Sequence, residues 1–114
     1  MKIERFEDII AWQKAKELTV KIYYLFDTSK DYSFKNQIQR ASVSIMNNIA
    51  EGFERKSNAE FKQFLYIAKC SCGEVRSMLI LSRELHKIDK VEADNLIAQA
   101  EEISKILSGF IKTL

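Results

Sequence analysis

The stretch FKNQIQRASVSIMNNIAEGFER, residues 34–55, decides the fold of this 114-residue chain. Apolar or small side chains recur in it at intervals of three to four residues, a spacing that places them on one face of an α-helix. They include Phe34, Ile38, Ala41, Ile45, Ile49 and Gly52. A polar stripe runs beside this face, and such residues favour caps and turns over helix interiors. Its density predicts a buried or interfacial hydrogen-bond network that specifies packing. The stripe consists of Gln37, Arg40, Ser44, Asn47 and Glu51.

A turn precedes this stretch, and a helix is predicted on each side of that turn. The first helix is predicted to run from about Asp8 to Phe26, with a carboxylate where a helix N-terminus favours one. The polar run at residues 27–31 ends that helix, and Ser33 is the natural N-cap of the second.

Capping signals mark the starts of two further helices. Ser57 and Glu60 form a capping box, in which each side chain satisfies a free backbone donor of the other, and the third helix is expected to extend to about His86. Asp89 and Glu92 repeat the box in aspartate form at the start of the fourth helix. The third helix has an expected core stripe of Phe61, Phe64, Leu65, Ala68, Cys72, Val75, Met78, Leu79 and Leu85. The fourth has Leu96, Ala100, Ile103, Leu107, Phe110 and Leu114.

These segments predict an all-α protein with a single domain over residues 1–114. The chain contains no proline and only three glycines, so little interrupts its helices. Because all the connections are short, consecutive helices should be antiparallel, which gives an up-down-up-down four-helix bundle.

Counting away from the short turn between the second and third helices predicts which residues face each other. Ser44 falls near Ser71, so these helices can approach closely. Arg40 falls within about one turn of Glu74 by the pitch of the helix, and the two are a candidate ion pair at the flank of the core. The alternative is two separately solvated charges.

The segment SIMNNIAEG, residues 44–52, with Gln37, Arg40 and Ala41 before it, resembles the signature of the 23S rRNA intervening-sequence proteins. The likeness extends over nearly the whole chain and departs from the usual pattern at Asp27, Phe34 and Cys70. The resemblance implies a small four-helix bundle that forms a pentameric ring and associates with nucleic acid. The family is also similar to the accessory protein of diversity-generating retroelements, which implies a reverse transcriptase as a protein partner.

A row of cations recurs every seven residues along the third helix. No acid stands three or four positions from any of them, so no pairing within the helix neutralises the row. A nucleic-acid contact is one interpretation, and a solvated or intersubunit face is the other. Burial against Glu101 and Glu102 would remove the first interpretation. The row consists of Lys62, Lys69, Arg76 and Arg83.

The outer side of the third helix carries small and apolar residues where a bundle helix normally presents charge to water. A glycine at its centre suits close packing of another helix, so we expect a homo-oligomer. The alternative is an isolated exposed patch. The expected interface consists of Tyr66, Cys70, Gly73, Ser77 and Ile80.

The sequence contains no catalytic motif. Cys70, Cys72 and His86 cannot share one zinc site at their helical spacing, and we expect no metal, cofactor or enzymatic activity. No segment has the length and apolarity of a membrane span, so a cytoplasmic protein without membrane contact is expected. Net charge is only +2, which leaves a structural or protein-adaptor module as the alternative to nucleic-acid binding.

Overall fold

The computed structural model describes residues 2–114, and these form four long helices with no β-strand. A short 3-10 turn at Phe6–Asp8 precedes α1 (Ile10–Leu25). The other helices are α2 (Tyr32–Phe53), α3 (Asn58–Glu84) and α4 (Lys90–Lys112). The prediction of an all-α four-helix protein is confirmed.

The contacts between consecutive helices establish that neighbours are antiparallel. In each pair, residues beside the turn meet first, and residues progressively further from the turn meet after them. These contacts are Phe26–Phe34 and Thr19–Ser42 for α1 and α2, Gly52–Phe64 and Ser44–Ser71 for α2 and α3, and Arg83–Asp94 and Arg76–Glu101 for α3 and α4.

One hydrophobic core runs through the bundle. Its fully buried members come from all four helices and repeat at three to four residues, as the sequence pattern predicts. They include Leu18, Ile22, Ile38, Ile45, Ile49, Leu65, Val75, Leu79, Leu96, Ile103 and Leu107. Leu85 does not belong to this core: it is 54% exposed, because α3 ends at Glu84. The chain then turns through a positive φ of 56° at His86.

The helix starts follow their capping residues. Ser57 accepts a hydrogen bond from the backbone N–H of Glu60, and Asp89 accepts from Val91 and Glu92, as expected for α3 and α4. Among residues 2–114, the return bond of each predicted capping box, from the backbone N–H of the cap residue to Glu60 or Glu92, is not formed. The expected cap of α2 is wrong. Its N-cap is Asp31, whose carboxylate accepts from the Phe34 N–H at 3.2 Å, rather than Ser33. An earlier start with a carboxylate cap is favoured by the helix dipole.

The first helix also starts later than expected. Asp8 lies in the separate 3-10 turn, and Ile9 adopts an extended conformation before α1 begins at Ile10. The Gln13 amide donates to the Glu7 carbonyl at 2.8 Å and fastens the turn to α1.

Candidate nucleic-acid interface

The basic row of α3 lies along the seam between α3 and α4, and all four of its side chains are half-buried. Residues seven apart in a straight α-helix drift by about 20° around the axis. The row therefore winds gradually towards α4, from Lys62 at one end to Arg83 at the other. This drift brings its two ends into different surroundings.

Arg83 is held in ion pairs. Its guanidinium donates to Asp94 of α4 at 2.7 Å and to the adjacent Glu84 at 3.3 Å. These two hydrogen bonds raise the pKa of Arg83. Its side chain is only 30% exposed, so Arg83 joins α3 to α4 and offers little charge to a ligand.

Arg76 is less tightly held. Its Nε lies 3.9 Å from Glu101 of α4, which is close enough for electrostatic attraction but too long for a hydrogen bond. The same Nε is buried without a hydrogen-bond partner among residues 2–114. Glu102, the other acid expected to meet the row, pairs instead with Lys14 of α1 at 3.0 Å.

Lys62 and Lys69 form the open half of the row. Within the described part of the chain, neither ammonium has a carboxylate within 4.0 Å. The row is thus neither wholly exposed nor wholly neutralised. Asp94 is the residue that the sequence analysis missed. Its spacing of seven from Glu101 matches the spacing of Arg83 from Arg76, so one register satisfies both pairs, although the spacing alone does not fix that register.

The outer face of α3 is uncovered in a single chain. Tyr66 is 54% exposed and Ile80 is 38% exposed. Cys70, Gly73 and Ser77 between them are also exposed. Apart from chain neighbours and the backbone of its own helix, no atom of residues 2–114 lies within 4 Å of a Cβ added at Gly73. The exposed side chains of Ile67, Leu81 and Leu85 extend the apolar area towards α2.

A polar groove of about 550 Å³ lies between α2 and α3. Its lining includes Arg40 and Glu74, but the expected ion pair between them is not formed. Glu74 instead accepts from the Gln37 amide at 3.5 Å. Gln37 and Ser44 are seven apart and share the flank that faces α3, whereas Arg40 is turned further towards solvent.

The polar stripe of α2 contributes one hydrogen-bonded cluster to the packing. The hydroxyls of Ser44 and Ser71 lie 3.0 Å apart, as the count from the turn predicted. The Asn48 amide donates to both the carbonyl and the hydroxyl of Ser44. The other members of the stripe are exposed, so the expected buried network is confined to this cluster at the α2–α3 contact. These exposed residues are Gln37, Arg40, Asn47 and Glu51.

The remaining reactive side chains do not converge. Over the range that the structure describes, no group of three His, Cys, Asp or Glu residues could hold a metal ion. Burial raises the pKa of Cys72 to about 12, so its thiol is protonated at neutral pH. None of the helices described is long and apolar enough to cross a membrane.

Comparisons with known proteins agree with this architecture. A family model described as 23S rRNA-intervening sequence protein matches residues 7–109. The chain is also similar to a solved structure from Bacteroides thetaiotaomicron, a protein with unknown function from the S23 ribosomal protein family. The two share 28% sequence identity with a TM-score of 0.85, and the similarity covers 90% of this chain and 99% of that chain. No curated protein matches this chain.

Proposed function

This chain belongs to the 23S rRNA-intervening sequence protein family, and from that premise we propose that it is a non-enzymatic bundle protein that binds structured RNA or DNA weakly. The contact is made by the basic row of α3, and chiefly by its two lysines, because Arg76 and Arg83 face acids of α4. The observation that carries the proposal is the open half of that row, where Lys62 and Lys69 have no carboxylate within 4.0 Å among residues 2–114. Lysine ammonium groups neutralise phosphates without regard to base sequence, so the binding tolerates many sequences.

A homo-oligomer is part of the same proposal. One subunit with a net charge of +2 is a poor ligand for a polyanion. A ring repeats the open lysines, so several weak contacts act together through effective concentration. The exposed outer face of α3, from Tyr66 to Ile80, supports such assembly, and the family resemblance favours five copies. The free thiols of Cys70 and Cys72 fit a cytoplasmic location.

Salt-dependent binding tests this proposal. Anisotropy of labelled RNA and DNA is measured with the purified protein over a range of salt concentrations. Each neutralised phosphate should add about 0.9 to the slope of log affinity against log salt for duplex DNA. Replacing Lys62, Lys69, Arg76 and Arg83 by Gln should flatten that slope, while light scattering reports an unchanged oligomer. If the wild-type protein shows no salt-dependent binding at low ionic strength, the nucleic-acid proposal fails.

A protein-adaptor role is the second candidate, and the apolar outer face of α3 favours it. Tyr66, Ile80 and Leu81 are exposed there and together form an apolar patch. A reverse transcriptase is the partner that the retroelement resemblance implies. Capture of one protein from the native cell, lost on Tyr66→Lys but retained by the four-cation variant, supports the adaptor role.

A further inference from the structure

Helical register places four lysines from two helices along the α3–α4 seam, at the end of the bundle that carries the α2–α3 turn. Lys62 and Lys69 come from α3, and Lys105 and Lys112 come from α4. We call this set the lysine seam. Its two α4 members take no part in the function proposed above.

The register of the seam follows from its two ion pairs. Those pairs are seven residues apart on both helices, and α3 and α4 are antiparallel. In this register Asp94 lies opposite Arg83, and Glu101 lies opposite Arg76. Seven residues further along each helix, Lys69 lies level with Ser108, so α4 carries a serine there instead of an acid. Lys62 lies one further step of seven along α3. At the level of Lys69, the series of ion pairs is thus interrupted by a serine of α4.

The α4 lysines flank this position. Lys105 lies three residues before Ser108 and Lys112 four residues after it, so both share the stripe of α4 that faces the row. Both are exposed. Lys62 and Lys105 mark the two ends of the lysine seam along the bundle axis. The distance between their levels is about 15 Å, at a rise of roughly 1.5 Å per residue.

The lysine seam carries four like charges, and the nearest acids along α4 are Glu101 and Glu102, four and three residues before Lys105. Over residues 2–114, no carboxylate lies within 4.0 Å of any of its four ammonium groups. The cluster spans about two Debye lengths at physiological salt, so repulsion acts between neighbouring members and is largely screened between its ends. A chain of phosphates is a ligand that relieves this repulsion along a line. A protein partner would need a matching row of acids.

We infer that the lysine seam is the surface that contacts the phosphodiester backbone, and that Arg76 and Arg83 hold α3 to α4 instead of binding the ligand. This inference rests on the proposed nucleic-acid function and places half of its contact on α4. It also predicts that substitutions within the row of α3 have unequal effects.

Paired glutamine variants test the inference in the full-length protein. The probes are a fluorescein-labelled RNA stem-loop and a DNA duplex of the same stem sequence, each titrated at several salt concentrations. Lys105→Gln with Lys112→Gln should lower the slope of log affinity against log salt by about 1.8 on DNA, the equivalent of two phosphates. Lys62→Gln with Lys69→Gln should do the same. The charge-preserving pair Lys105→Arg with Lys112→Arg should retain the wild-type slope.

Two controls separate this effect from net charge and from the ion pairs. Lys21→Gln with Lys30→Gln removes the same charge from exposed positions outside α3 and α4 and should leave the slope unchanged. Arg76→Gln with Arg83→Gln should also leave it nearly unchanged, with circular dichroism verifying that the protein is folded.

The outcomes distinguish the two proposals. Wild-type protein that does not bind either probe defeats the nucleic-acid function itself, and this inference with it. Wild-type binding that survives the loss of both α4 lysines, but is weakened by loss of the two arginines, overturns this inference alone. A difference in affinity between the RNA stem-loop and the DNA duplex identifies which backbone the lysine seam prefers.

Discussion

At the scale of single residues, Gly52 sets how closely α2 and α3 can approach. A Cβ added there would lie 2.6 Å from the Cβ of Phe64 and 3.0 Å from the Cδ1 of Phe61. The first of these neighbours is fixed directly to the backbone of α3, so it cannot move aside without moving the helix. The close approach also allows Ser44 and Ser71 to meet further along the same contact.

We therefore predict that Gly52→Ala destabilises the protein. Alanine gains up to about 1 kcal/mol in helix propensity, while overpacking costs about 1–3 kcal/mol, so a net loss of about 1 kcal/mol is expected. Urea unfolding measures the change. Gly109→Ala is the matched control and should stabilise the protein, because its added Cβ meets no atom of residues 2–114 within 4 Å apart from chain neighbours and the backbone of its own helix. Equal stability gains in both variants would show that the α2–α3 contact has room for a methyl group.

At the scale of secondary-structure elements, Asp31 connects the start of α2 to the turn between α3 and α4. Its carboxylate caps α2 through the Phe34 N–H and accepts from the Lys87 ammonium at 3.0 Å. The hydrogen bond from Lys87 and then the one from Phe34 lower the pKa of Asp31 below its ordinary value of 3.8. The same Lys87 ammonium lies 5.4 Å from the centre of the Phe34 ring.

This geometry predicts a pH-dependent contribution to stability. Because the pKa is lower in the folded state, the contribution is complete well above pH 3.8 and is lost as the pH falls through the folded-state value. Asn at position 31 keeps the capping oxygen but not the charge. We expect Asp31→Asn to lower the melting temperature at pH 7 and to lose this difference from wild type progressively as the pH falls below 3.8, as shown by thermal unfolding. If the difference in melting temperature between Asp31→Asn and wild type stays constant as the pH is lowered, the effect comes from cap geometry alone.

At the scale of the whole molecule, the exposed outer face of α3 is the feature that one chain leaves unexplained. The bundle measures 43 × 22 × 19 Å, and α3, its longest helix, presents Tyr66, Gly73 and Ile80 to solvent. A solvent-facing helix without a partner would gain stability from alanine or charged residues at these positions.

We predict a homo-oligomer at micromolar concentration, measured by light scattering on the purified protein. Tyr66→Lys should dissociate it, because a charge would be buried against the neighbouring subunit, while circular dichroism retains the helical signal. Tyr24→Lys is the matched control, since Tyr24 is also an exposed tyrosine, at 79%, but lies on α1. A wild-type protein that is monomeric by mass would remove the assembly from the proposal.

The sequence by itself determined the four helices and much of their packing. Its three-to-four-residue periodicity identified the buried faces, and the caps at Ser57 and Asp89 marked the starts of α3 and α4. The short α2–α3 turn was enough to bring Ser44 to Ser71. These features depend on neighbours within one helix or across one short turn, which are interactions that a linear pattern contains.

Only the tertiary structure decided which charges are paired and which are open. Arg76 and Arg83 meet acids of α4, whereas Lys69 reaches a level where α4 carries a serine. Glu74 meets Gln37 rather than Arg40 for a similar reason. A side chain's partner across a seam depends on the relative rotation and axial shift of two helices. Both are set by how the whole core packs, so residue spacing within either helix could not supply them.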